Sequence, residues 1–116
     1  MYLLFLKSIT IAVGVDSPKE AAEWYLNLLE LDEVIQFEDV YEVALNQNTW
    51  LQFYYSEHCA KNFVLRLEVD ELQIIKKKLV DLGYANIRMN SNETVKYMYS
   101  IQDPYGNKVG FYNIYN

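Results

Sequence analysis

Phe63-Val64-Leu65-Arg66-Leu67-Glu68-Val69-Asp70 places a large apolar side chain at every second residue. That two-residue period belongs to a strand with one buried face. Asp70-Glu71-Leu72-Gln73 follows as a helix start, and Val69 with Ile74 is expected to form a hydrophobic staple across it. Leu72, Ile75, Leu79 and Leu82 then recur at helical spacing, and Gly83 stands where a helix commonly ends on a positive φ.

The same order occurs earlier in the chain. Ile9 to Val15 alternates as a strand. Ser17-Pro18-Lys19-Glu20 combines an N-cap, a first-turn proline and a capping-box glutamate. The helix is expected to run to about Glu30, with Ala21, Trp24, Tyr25, Leu28 and Leu29 on one face. Three strands are expected after each helix: about 33–37, 41–46 and 49–55, then 86–89, 95–102 and 108–114. Glu38-Asp39, Asn46-Gln47-Asn48 and Asp103-Pro104-Tyr105-Gly106-Asn107 supply turn chemistry, and 56–61 reads as a polar loop. Val15-Asp16 matches Val69-Asp70, and Gln52-Phe53-Tyr54-Tyr55 matches Gly110-Phe111-Tyr112-Asn113. An internal repeat of strand, helix and three strands follows. The fold class is α+β: two tandem βαβββ modules, about 8–56 and 62–115, in one domain of residues 1–116. Neither half is long enough to bury its own sheet well. Two curved mixed sheets with helices on the outer face, lining a shared cavity, are therefore expected.

Composition narrows the function. A chain of 116 residues that is 52% hydrophobic is long enough to bury about two thirds of its unfolded surface. The net charge of −6 argues against nucleic acid, whose phosphates require Lys and Arg. Lys76-Lys77-Lys78 reads as a solvated helix face. The eleven tyrosines point either to half-buried ligand or subunit surfaces or simply to strand propensity. Cys59 is the sole cysteine, which excludes an internal disulfide and fits a reducing, cytoplasmic setting. The start to Val15 lacks the features of a signal peptide, and no apolar run approaches membrane-spanning length.

Asp103-Pro104-Tyr105-Gly106-Asn107 before a strand resembles the Asp-Pro-x-Gly-Asn signature of the vicinal oxygen chelate superfamily, which includes glyoxalase I, extradiol dioxygenases and bleomycin-resistance proteins. Residues 17–31, with Trp24-Tyr25 and Leu28-Leu29, resemble that family's first helix. Leu67-Glu68-Val69-Asp70 resembles the start of its second module. The resemblance spans essentially the whole chain. In metal-using members, four inward strand positions supply His, Glu or Gln ligands. Carried across by motif, these fall on Thr10 (or Ile9, one residue off), Gln52, Val64 and Gly110. A valine and a glycine offer no donor, while divalent sites need about three or four ligands. The resemblance thus points to the non-metal branch: no cofactor, no metal, no catalytic residue.

Strand alternation supports the same register. With Ile9, Ile11, Val13 and Val15 toward the helix, Thr10, Ala12 and Gly14 face the cavity. With Phe63, Leu65, Leu67 and Val69 toward the helix, Val64, Arg66 and Glu68 face it. Arg66 and Glu68 are expected as an inward pair, either a structural salt bridge or a polar ligand anchor. Trp50, Gln52 and Tyr54 share a face, and Gly110 and Tyr112 share the matching one. These rings would form an aromatic wall able to stack on a flat ligand, or would fill the space themselves. Tyr97, Met98 and Tyr99 could line it too, with facing left open. His58 and Cys59 read as an incidental loop pair. Glu30, Asp32, Glu33, Glu38, Asp39 and Glu42 read as a solvated acidic edge that could steer a cation.

The leading reading is a metal-independent binding protein for a flat aromatic or cationic molecule, with Thr10, Trp50, Gln52, Tyr54, Arg66, Glu68 and Tyr112 as ligand-binding residues. The resemblance implies a homodimer, which residues 2–6 could join. A superfamily lyase, isomerase or dioxygenase with relocated ligands, or a degenerate interaction module, are the alternatives.

Overall fold

A computed structural model describes residues 6–58 and 63–114. Between residues 59 and 60 the chain divides into two compact units. The elements are β1 (Ile9–Val15), α1 (Pro18–Leu29), β2 (Ile35–Phe37), β3 (Val40–Asn46), β4 (Thr49–Tyr55), β5 (Val64–Glu68), α2 (Leu72–Asp81), β6 (Met89–Ser91), β7 (Val95–Gln102) and β8 (Lys108–Ile114). Each unit is one four-stranded mixed sheet, ordered β1-β4-β3-β2 and β5-β8-β7-β6. In each, the first strand pairs parallel to the last, and the other pairings are antiparallel. The α+β class and the repeated βαβββ module read from the sequence are what the structure shows.

The cause is the alternation of apolar residues. Val13 and Val15 of β1, Val43 of β3, and Leu51 and Phe53 of β4 are buried, together with Ala21, Ala22, Tyr25 and Leu28 of α1, which packs across β3 and β4. Tyr25 stacks on Phe53 with ring centroids 5.5 Å apart, and Trp24 meets Tyr25 edge-on at 4.8 Å. In the second unit Leu65, Leu72, Ile75, Leu79, Met98, Val109 and Phe111 are buried. Burying a side chain of this size stabilises by about 1.5–3 kcal/mol.

Several local expectations are corrected. Ser17 is the N-cap of α1, but its side chain makes no cap hydrogen bond. Its own ψ of 79° is short of the extended backbone an N-cap usually takes. The second helix is capped by Glu71 rather than Asp70, again without a side-chain bond. That one-residue shift leaves Ile74 54% exposed, so it does not staple to Val69. Strand β2 begins at Ile35 and β6 is displaced to Met89–Ser91. The helix stop holds: Gly83 has φ 101°, its N–H donates to the Val80 carbonyl, and the Tyr84 N–H donates to that of Leu79. This is the double closure of a Schellman motif.

The turn at Asp103-Pro104-Tyr105-Gly106-Asn107 is built around a buried carboxylate. Asp103 Oδ1 accepts from the Tyr105 and Asn107 N–H groups, both at 2.9 Å. The Asp103 N–H donates to the Asn107 carbonyl at 2.7 Å, and Gly106 takes φ 90°. Asp103→Ala orphans one buried and one part-buried donor and is expected to cost about 2–3 kcal/mol. The urea midpoint measures this, and Asp103→Asn, which keeps an acceptor, should recover most of the loss.

Candidate functional site

Each sheet has one face under its helix and one open face. On the first, the open face carries Thr10 and Ala12 of β1 and Trp50, Gln52 and Tyr54 of β4. Register brings Thr10 beside Trp50, Ala12 beside Gln52 and Gly14 beside Tyr54. Glu42 stands opposite Gln52 on β3, and Gln52 Nε2 donates to Glu42 Oε2 at 3.3 Å. Trp50 also borders a hollow of about 460 Å³ with Glu30, Asp32, Ala44 and Gln47.

On the second sheet, register sets Arg66 beside Gly110 and Glu68 beside Tyr112, with Tyr97 opposite Tyr112. Arg66 and Glu68 are exposed, not the buried pair expected. Among the described residues no ion pair joins them. The reason is that β5 is an edge strand whose even-numbered residues turn away from α2. A pocket of about 260 Å³ opens on this face, lined by Arg66, Tyr97, Tyr99, Ser100, Gly110 and Tyr112, with Val95, Met98 and Phe111.

A β-bulge builds this pocket. The β7–β8 register shifts between Met98 and Ile101, which pair with Phe111 and Val109. Tyr99 and Ser100 therefore share the single partner Gly110, and a bulge re-aims side chains in this way. A Cβ on Gly110 would lie 3.1 Å from Ser100 Oγ and 3.7 Å from Arg66 Cγ, so glycine leaves the pocket floor open. Tyr97 and Tyr99 lie 5.4 Å apart, edge to face. Asn90 Nδ2 donates to Tyr97 Oη at 2.9 Å and to Tyr99 Oη at 3.4 Å. The Arg88 guanidinium lies 4.8 Å over the Tyr99 ring, within cation–π range.

Of the expected binding residues, Arg66 and Tyr112 thus meet in one pocket. Glu68 shares their face without lining it. Thr10, Trp50, Gln52 and Tyr54 share the open face of the other sheet. Tyr97, Tyr99 and Ser100 are additions whose facing the sequence left open. His58 is exposed, and its backbone N–H donates to Ser56 Oγ. Cys59 and residues 2–5 lie outside the described residues.

The positions that would hold a metal do not fit one. Val64 and Gly110 supply no donor atom, which leaves Thr10 and Gln52, fewer than the roughly three or four ligands a divalent site needs. Among the described residues no three His, Cys, Asp or Glu side chains group closely enough to hold an ion. No helix among them is long and apolar enough to cross a membrane.

The fold is that of known proteins. Oxidase ChaP-H2 superposes with a TM-score of 0.80 at 17% identity, covering 95% of this chain and 94% of that one. TnmS3, an antibiotic-binding protein from Streptomyces sp. CB03234, gives 0.75 at 17% identity, covering 99% of each chain. A glyoxalase/bleomycin resistance protein from the same source gives 0.70 at 18% identity, covering 90% of this chain and 97% of that one. By sequence, no family model and no curated protein matches. The chain has the fold of the glyoxalase/bleomycin-resistance proteins of the vicinal oxygen chelate superfamily.

One titratable group near the Asp103 turn is perturbed. The Tyr84 hydroxyl donates to the Gln102 carbonyl at 2.7 Å. Burial first, and the Asp103 carboxylate second, push its pKa up. The folded chain therefore holds this proton more tightly than the unfolded chain. Its stabilisation is complete below the ordinary tyrosine value of about 10 and is lost as pH rises through the folded value. Tyr84→Phe is expected to flatten that alkaline loss, at a cost of about 1 kcal/mol at neutral pH from the missing hydrogen bond. Denaturation midpoints from pH 7 to 11 check both effects.

Proposed function

We propose that this chain is a metal-independent binding protein for a small, flat organic molecule. The observation that carries the reading is the tyrosine-walled pocket on the second sheet, with Gly110 as a bare floor and Arg66 at its rim. Aromatic walls with a few convergent polar groups suit a planar ligand. On the second sheet Tyr112 stacks on the ligand while Arg66 and Glu68 orient it; on the first, Trp50 and Tyr54 with Gln52 and Thr10 offer a separate face of the same kind. The donor-poor positions Val64 and Gly110 support metal independence. The likeness to an antibiotic-binding protein supports a sequestering role. The working unit is a homodimer in the cytoplasm.

The rival reading, an enzyme with relocated ligands, draws on the likeness to a protein named an oxidase. Elemental analysis separates the two. Purified protein is expected to carry far less than one equivalent of Zn, Ni, Mn or Fe, and stoichiometric metal would overturn the proposal. Binding itself is read by tryptophan fluorescence against a panel of planar compounds, with Trp50→Phe identifying the reporting ring. By calorimetry, Tyr112→Ala is expected to weaken a ligand of the second-sheet pocket about two- to tenfold, in line with about 0.5–1.5 kcal/mol for an aromatic contact beyond its area. Light scattering checks the dimer.

A further inference from the structure

We infer that the pocket on the second sheet selects a planar aromatic acid, its carboxylate seated on the Arg66 guanidinium. The inference rests on the binding role proposed above and adds the ligand's charge.

Among the residues lining the pocket, Arg66 alone is charged. Its planar fork of N–H donors matches a carboxylate in two-point geometry. The nearest carboxylate on its own strand, Glu68, points to the same face but forms no ion pair with it among the described residues, so the guanidinium is open to an incoming anion. The hydroxyls tell the same way. The Tyr97 and Tyr99 oxygens each accept from Asn90 Nδ2, which leaves their O–H protons to donate. Ser100 adds another hydroxyl beside Gly110. Arg88, over the Tyr99 ring, adds a second positive charge next to the pocket. The local chemistry is donor-rich and cationic, although the whole chain is acidic.

Local charge decides selection here. Solvent-exposed charges more than about 8–10 Å away are largely screened at physiological salt, whereas Arg66 acts in contact. A volume of about 260 Å³ is below the roughly 300–1,000 Å³ of pockets for drug-sized ligands, so this pocket takes a fused bicyclic ring system rather than a larger one.

Three matched probes test this on the full chain by calorimetry: 2-naphthoate, neutral 2-naphthamide and 2-naphthylmethylammonium. The naphthoate should bind at least about tenfold more tightly than the ammonium. Arg66→Gln should weaken naphthoate about ten- to a hundredfold, the scale of a charge-assisted contact, and change naphthamide less than about threefold. Arg66 is exposed, so the variant keeps the wild-type circular dichroism. Tighter binding of the ammonium, equal binding of all three, or an equal loss for naphthoate and naphthamide in the variant overturns the charge selection and leaves the binding role standing. Failure of all three probes to bind overturns both.

Discussion

Burial of Phe53 in one sheet and Phe111 in the other is the constraint on which every other placement depends. A strand's side chains alternate between faces, so once these rings lie under a helix their neighbours have no choice. Gln52 and Tyr54 must turn to the open face of the first sheet, and Gly110 and Tyr112 to that of the second. A slip of one residue would expose two buried rings and bury Gln52 and Tyr112 instead. The apolar content of β4 and β8 thereby sets the chemistry of the faces opposite them.

Parallel pairing carries this constraint to the first strand of each module. Arg66 has no contact that would choose its position by itself. It stands beside Gly110 because Leu65 and Leu67 are in register with Val109 and Phe111. The missing side chain at Gly110 then acts twice. It admits the β7 bulge, whose Ser100 hydroxyl occupies space a Cβ would contest, and it leaves the pocket open between the guanidinium and the tyrosines. The same position in the first module is Gln52, engaged with Glu42. One repeat therefore offers a pocket where the other offers an amide–carboxylate pair.

The repeat, the strand–helix order, the Gly83 stop, the Asp103 turn and the facing of β1, β4, β5 and β8 were all legible in the residues, because each follows from periodicity or from local turn chemistry. Helix starts were less so. Ser17 and Asp70 have good capping side chains, yet neither helix is closed by one, since the chain's approach to a helix is set by the strand before it. The sequence also suggested burial for Arg66 and Glu68. It could not show that β5 lies at the edge of its sheet with that face open.

The amino-acid order alone determined the two modules, the side of each strand that meets a helix, and the lack of donor atoms at Val64 and Gly110. These are properties of residue type and spacing. Only the tertiary structure decided that Tyr97, Tyr99 and Ser100 join Arg66 and Tyr112 around one pocket. The β7 bulge breaks strand alternation at Tyr99 and Ser100, and the space for it comes from a glycine on a neighbouring strand, ten residues further along the chain, that no local pattern can register.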